Sequence, residues 1–420
     1  MLTSPIETGL VRAMEEFEVI DCHEHLGPEE GRTGREVDAF DLVGSYARLD
    51  LLSAGMRDQD YQSLLDHRLP LERRWALLKP FWEQIRWGSY AQVVRLSIEK
   101  FYGFDDINGS TCLPLSEAMA KANVPGIYER VLRDACRIRT ALTQCGTTRT
   151  GTPLLTPTVS AGYAFSQTDP YPYQFVRTRE QFVSPRFAPG ETIGSLDGYL
   201  EAFRQYLIRS KAEGAVALKI SAIPTAPPNR AEAESLAAKL FDGSLSDLPG
   251  VNPLQDYVFD EMVRVATDLD LMVAVHTGYW GDFRNVDPLN MIPVIQRHVE
   301  TRFDIYHLGY PWPREAMMLG KRFPNVWLNL CWTHAISPRC AVAMLDEAVD
   351  AVPMNKILAF GGDYGHPVEH VYGHLVLARE NVARVLARRI AEGQMSEGQA
   401  MELARKWFWQ NPKDLYGLDV

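Results

Sequence analysis

EVIDCHEHLG, residues 18–27, is a short apolar run that closes on two histidines, His23 and His25, one residue apart. In an extended chain, residues i and i+2 project from the same face, so both imidazoles point the same way from the end of one strand. Seven further runs share this build of Val, Ile and Leu, each closing on polar or glycine residues: RIRTALTQCG (137–146), LLTPTVSAG (154–162), VALKISAI (216–223), LMVAVHTGY (271–279), FDIYHLGYP (303–311), VWLNLCWTH (326–334) and ILAFGGDYG (357–365). Such runs read as parallel strands buried on both faces. Between most of them lie amphipathic stretches such as 254–270 and 313–323 with helical spacing. Eight strands alternating with helices predict an α/β fold, a closed (β/α)8 barrel.

Working outward, one connection is too long for a plain strand–helix unit. Residues 28–136 separate the first two strands and carry several helical patterns together with Trp75, Trp82 and Trp87. Loops that follow barrel strands open at the catalytic face, so this insert is expected to be a helical, lid-like subdomain of a single barrel domain spanning 1–420. A decoration packed on the outer helices is the alternative. The Pro- and Tyr-rich stretch 166–187 reads as a second mouth loop.

Composition narrows the partners. The chain has 420 residues, 46% of them hydrophobic, with 43 Lys and Arg against 54 Asp and Glu, a net charge of −11. That balance argues against nucleic acid as a partner, which calls for a clustered basic surface. No run of about eighteen uncharged apolar residues is present, so no membrane span is expected. The N-terminus lacks the basic start and apolar core of a signal peptide. Six cysteines fall without CxxC spacing, as in reduced thiols. Together these traits fit a cytoplasmic protein acting on a small-molecule substrate; a homo-oligomer is compatible with them.

The chemistry-bearing residues recur at one structural place. His276 closes the fifth run, His307 the sixth and Asp363 the eighth, as His23 and His25 close the first. Singly, each reads as well as a hydrogen-bonded core residue. Jointly they share one barrel rim, where burying so many ligand-type groups is costly unless a cation compensates them. Imidazoles with a carboxylate suit a divalent metal, zinc foremost.

The set of HxH on strand 1, Lys219 on strand 4, histidines on strands 5 and 6 and an Asp on strand 8 resembles the amidohydrolase superfamily of metal-dependent barrel hydrolases. The closing stretch WFWQNPKDLYGL (407–418) is similar to that family's last helix, and the long insert resembles the branch holding uronate isomerases and nonhydrolytic decarboxylases. The resemblance implies metal ligands His23, His25, Lys219, His276, His307 and Asp363, with Lys219 as a carbamate bridging two ions. A desolvated amine is partly neutral and able to attack carbon dioxide, which is consistent with such a carbamate; a lysine in a salt bridge or facing solvent is the other reading.

The favoured expectation is hydrolysis of an amide, ester or lactone-type bond by metal-activated water, with Asp363 and His307 as catalytic residues. A single-metal decarboxylase or uronate-isomerase-like enzyme on a small carboxylate is the runner-up, and a noncatalytic metal protein the third. Tyr279, Trp280, Arg284, Trp312, His334 and His366 are expected to shape the substrate pocket. His366, His370 and Glu369 also match the HxxEH pattern of zinc peptidases, but the rim accounts for the other histidines without it, leaving His370 and His374 as a solvated helix face.

Overall fold

The computed structural model describes residues 4–160, 178–221, 223–248, 250 and 252–420. Most of the Pro- and Tyr-rich loop expected at the mouth therefore lies outside the described residues. Among the described residues, eight parallel strands follow the chain in order: β1 Val19–Glu24, β2 Ile138–Thr143, β3 Leu155–Pro157, β4 Ala217–Ile220, β5 Met272–Val275, β6 Phe303–Ile305, β7 Val326–Asn329 and β8 Ile357–Leu358. Each lies within the run that predicts it.

Backbone hydrogen bonds close the ring at its two remaining seams. Between β3 and β4, Val159 N–H donates to Ala217 O (2.9 Å) and Lys219 N–H to Val159 O (2.7 Å). Between β8 and β1, Cys22 N–H donates to Phe360 O (3.0 Å) and Asp363 N–H to His23 O (2.8 Å). The fold is a (β/α)8 barrel. Every residue of β1, β4 and β5 is buried, because side chains on one strand face fill the barrel and those on the other meet the helix layer.

The outer layer includes the helices Leu196–Ala212, Pro253–Asp268, Pro313–Arg322 and Pro338–Ala351, and the long helix Glu369–Ala391. Three of these begin at proline, which suits a first helical turn whose N–H groups have no intrahelical partner.

Residues 28–136 form a run of helices with a hydrophobic core of their own, built from Phe40, Leu51, Leu78, Trp82, Ile98 and Leu115. Trp82 is sealed in that core, Trp75 packs against it and Trp87 is 79% exposed, so the tryptophans serve the insert rather than the barrel mouth. A buried ion pair ties insert to barrel: Arg32 Nη2 donates to Glu369 Oε1 (2.9 Å), which also accepts from Tyr102 OH (2.5 Å). No helix is long and apolar enough to cross a membrane among the described residues.

Candidate metal centre

Strand ends converge as a barrel requires. His23 Nε2 and His25 Nε2 lie 3.0 Å and 3.3 Å from the same oxygen, Asp363 Oδ1. Metal–ligand bonds of about 2.1 Å at octahedral to tetrahedral angles set neighbouring donor atoms about 3.0–3.4 Å apart, and these separations match that spacing. The hydrogen-bond pattern fits the same assignment. His25 Nδ1 lies 2.9 Å from the Gln144 carbonyl, which can only accept, so Nδ1 carries a proton and Nε2 is the nitrogen aimed at Asp363.

His307 and His276 form a second layer of the same site. His307 Nδ1–H donates to Cys331 O (3.1 Å), so its Nε2 accepts from His276 Nδ1–H at 3.0 Å. His276 Nε2 is then a lone-pair nitrogen as well. His307 Nδ1 is 3.9 Å from Asp363 Oδ2, which links the pair to the first three donors.

Electrostatics keep these groups in ligand form. Burial, reinforced by the nearby Lys219 charge, holds His23 well below the ordinary histidine value, and burial brings His307 down to about 4. For Asp363, burial opposes ionisation but the imidazoles of His23, His25 and His307 outweigh it, leaving the carboxyl well below the usual range. Neutral imidazoles around a carboxylate are what a divalent ion requires. The backbone is strained at the same rim: His307 (φ 62°), Trp332 (φ 60°) and Asp363 (φ 65°) are left-handed, which costs about 1–3 kcal/mol each and clusters at functional sites.

Lys219 sits deeper than the rim. Its side chain is buried, which lowers its pKa, and Nζ lies 4.7 Å from the centre of the Tyr306 ring. That ring in turn packs against His23 at 4.6 Å. Tyr306 thus has Lys219 and the donor set as neighbours, a contact that strand periodicity does not reveal.

The remaining expected pocket residues divide. Tyr279 and Trp280 each lie 6.0 Å from Trp332, and Trp312 lies 5.7 Å from Phe283, an aromatic group beside the rim. Arg284 does not reach toward the site: it is exposed and bonds Asp282 through Nε (2.8 Å) and Nη2 (2.6 Å). His334 is fully buried, with Nε2 donating to Ala359 O (2.9 Å) and Nδ1 accepting from Asn381 Nδ2 (3.1 Å), so it braces the helix Glu369–Ala391 instead of lining a pocket. His370 and His374, expected in solvent, are buried too, because that helix lies between the insert and the barrel wall with both faces covered.

His366 meets the insert, contacting Arg35 and lying 3.4 Å from Asp41 Oδ1. Asp41 belongs with Asp38 and His67 to a second acidic cluster, which Arg35 and Arg74 neutralise. Sequence reasoning missed Tyr46, whose hydroxyl donates to the Asp363 carbonyl (2.6 Å) and whose ring stacks on Trp332 at 4.4 Å. Nothing near Tyr46 marks it. Asp21 and Glu24 were missed as well, although a charge inside a buried strand is a signal; burial pushes Asp21 up to about 7 and Glu24 well above the usual range.

The sequence model of the family described as Amidohydrolase matches residues 161–418, more than half of the chain. The chain belongs to the amidohydrolase family. Its His23–His25 strand precedes the matched stretch, so the convergence of those residues on Asp363 is independent of that match. A uronate isomerase of Xanthomonas axonopodis pv. citri is 24% identical over 274 residues, 60% of this chain and 57% of the relative. Matched stretches span 20% to 57% of the curated relatives' own lengths.

Solved structures resemble this amidohydrolase over nearly its full length. A uronate isomerase from Thermotoga maritima has a TM-score of 0.79 at 15% identity, covering 99% of this chain and 98% of its own. A glucuronate isomerase from Caulobacter crescentus has a TM-score of 0.78 at 20% identity, covering 100% and 96%.

Proposed function

We propose that this amidohydrolase is a single-metal isomerase of a small hydroxy-carboxylate, of the uronate kind, in place of the hydrolase favoured by its motifs. One observation carries the reading. His23, His25 and Asp363 make one convergent donor set, whereas Lys219 Nζ faces the Tyr306 ring, a seat that suits a plain ammonium better than a carbamate bridging two ions. Uronate isomerases among the relatives, in sequence and in structure, support the same class.

In this reading His23, His25 and Asp363 hold a divalent ion, zinc by its donor chemistry, with His276 and His307 behind them. When bound, the ion would polarise adjacent carbonyl and hydroxyl oxygens of the substrate. Asp363 directs Oδ1 at both imidazoles of β1, which leaves Oδ2 to accept a proton from one substrate carbon side and return it on the other. His307 cannot readily lend its Nδ1 proton, since Cys331 O holds it; its role is to fix the tautomer of His276. Tyr279, Trp280 and Trp312 would face the substrate's carbon skeleton, and His366 beside Arg35 its carboxylate end. Residues 28–136 would then act as a lid, a role supported by the Tyr46 bond to Asp363 and the Arg35 contact with His366.

The test is metal analysis together with product analysis. Protein loaded with zinc or manganese is offered glucuronate and galacturonate beside a panel of lactones, esters and amides. One ion per chain with ketose formation from a uronate supports the proposal. Two ions per chain with hydrolysis of the panel would restore the hydrolase reading.

A further inference from the structure

Three successive backbone N–H groups, those of Gly362, Asp363 and Tyr364, all point toward β1. In a regular strand successive N–H groups alternate sides, so only half of them meet one neighbour. Here the left-handed turn at Asp363 (φ 65°) brings all three to the same side, where a ladder supplies a carbonyl for one alone. Asp363 N–H takes it, donating to His23 O at 2.8 Å. The flanking two are met by side chains of β1: Gly362 N–H donates to Asp21 Oδ1 (3.2 Å) and Tyr364 N–H to Glu24 Oε2 (2.6 Å).

Both carboxyl groups are fully buried and abut one another. Asp21 Oδ1 also accepts from His23 N–H (3.2 Å), and His25 N–H returns to Tyr364 O (3.0 Å). The one segment 21–25 therefore carries two donor imidazoles and the acceptors that shape the backbone of the opposing donor. A Cβ at position 362 would stand 2.0 Å from Glu24 Oε1, so any side chain there must push the Glu24 carboxyl aside.

We infer that Asp21 and Glu24 form a two-point clamp that holds the Asp363 backbone in its left-handed turn and so sets the carboxylate against His23 and His25. Asp21 and Glu24 are positioning residues; they act through Asp363 and touch neither substrate nor ion. The inference rests on the proposed metal-binding role of Asp363 for its functional consequence, but the clamp itself is a statement about the backbone of 362–364.

Two readouts separate these. Glu24→Met keeps volume and removes the strong acceptor, whereas Glu24→Gln keeps an amide oxygen for Tyr364 N–H and an NH2 for Asp21. Gly362→Ala attacks the clamp from the other side if the methionine variant does not fold. Hydrogen–deuterium exchange of the peptide spanning 360–365, read in the metal-free protein, should speed up at least about tenfold in Glu24→Met or Gly362→Ala and stay near wild type in Glu24→Gln. Zinc affinity by chelator competition should fall about 10–100-fold in the same variants and recover in Glu24→Gln.

Unchanged exchange in a folded Glu24→Met protein would overturn the clamp. Equal losses in Glu24→Gln and Glu24→Met would also overturn it, by showing that charge rather than acceptor geometry matters. Faster exchange with zinc affinity equally weak in wild type and Asp363→Asn would keep the clamp and sink the metal reading instead.

Discussion

Replacing Arg32 by methionine tests how firmly the insert is fixed to the barrel. Arg32 Nη2 lies 2.9 Å from Glu369 Oε1, and their side chains are 3% and 0% exposed. Arg32 Nη1 also donates to Asn123 Oδ1 (2.5 Å), within the insert. Without the guanidinium, Glu369 keeps one hydrogen bond, from Tyr102 OH, and is otherwise a carboxylate sealed from water. Breaking one side of a buried pair in this way costs about 3–5 kcal/mol. With a urea dependence of about 3 kcal/mol per molar, the unfolding midpoint should fall by about 1–1.7 M. Glu369→Leu alone should cost a similar amount, while the double variant Arg32→Met/Glu369→Leu should recover most of it, because two apolar groups leave no orphaned charge. Urea unfolding followed by tryptophan fluorescence and circular dichroism reads all four proteins. A midpoint shift below about 0.3 M in Arg32→Met, or strictly additive losses in the double variant, would refute the reasoning.

Further outcomes follow from the same geometry. Asp363→Asn should retain part of its metal while turnover falls about 10²–10⁴-fold, since an amide can ligate but is a negligible base; near-normal turnover would make Asp363 structural. Lys219→Met should keep one zinc per chain by elemental analysis, whereas a fall from two ions to one would restore the carbamate bridge. Tyr46→Phe deletes the bond to Asp363 O and should cost about 1 kcal/mol, read as weaker metal binding at unchanged fold. Burial brings His334 and His370 down to about 4 and His374 to about 3, below their unfolded values, so the unfolded chain binds more protons between those values and the ordinary 6.5. Stability is therefore full above the unfolded pKa and should be lost as pH falls from 7 toward 4, by about 1.4 kcal/mol per pH unit for each histidine; His370→Leu should flatten the slope measured by urea unfolding.

The barrel was legible because its strands are buried on both faces. A residue such as Val275 or Ile305 has no solvent side, so the run is apolar throughout and the polar residue that ends it stands out. His23, His25, His276, His307 and Asp363 were found through that contrast alone. The eight described strands are parallel, so the candidate residues that end these runs fall at one end of the barrel.

Tertiary structure decided what the local pattern leaves open. Lys219 has beside its Nζ the ring of Tyr306, a residue 87 positions away in the chain whose side chain shares the barrel interior. His370 and His374 read as a polar helix face, yet the insert and the barrel wall cover both sides of that helix, and burial comes from those neighbours rather than from helical period. Tyr46 carries no signal because its contact is with a backbone carbonyl, which any residue possesses. Sequence by itself determines periodicity, and hence which residues share a face. What lies opposite that face is set by chain closure over long separations, and only the folded molecule contains it.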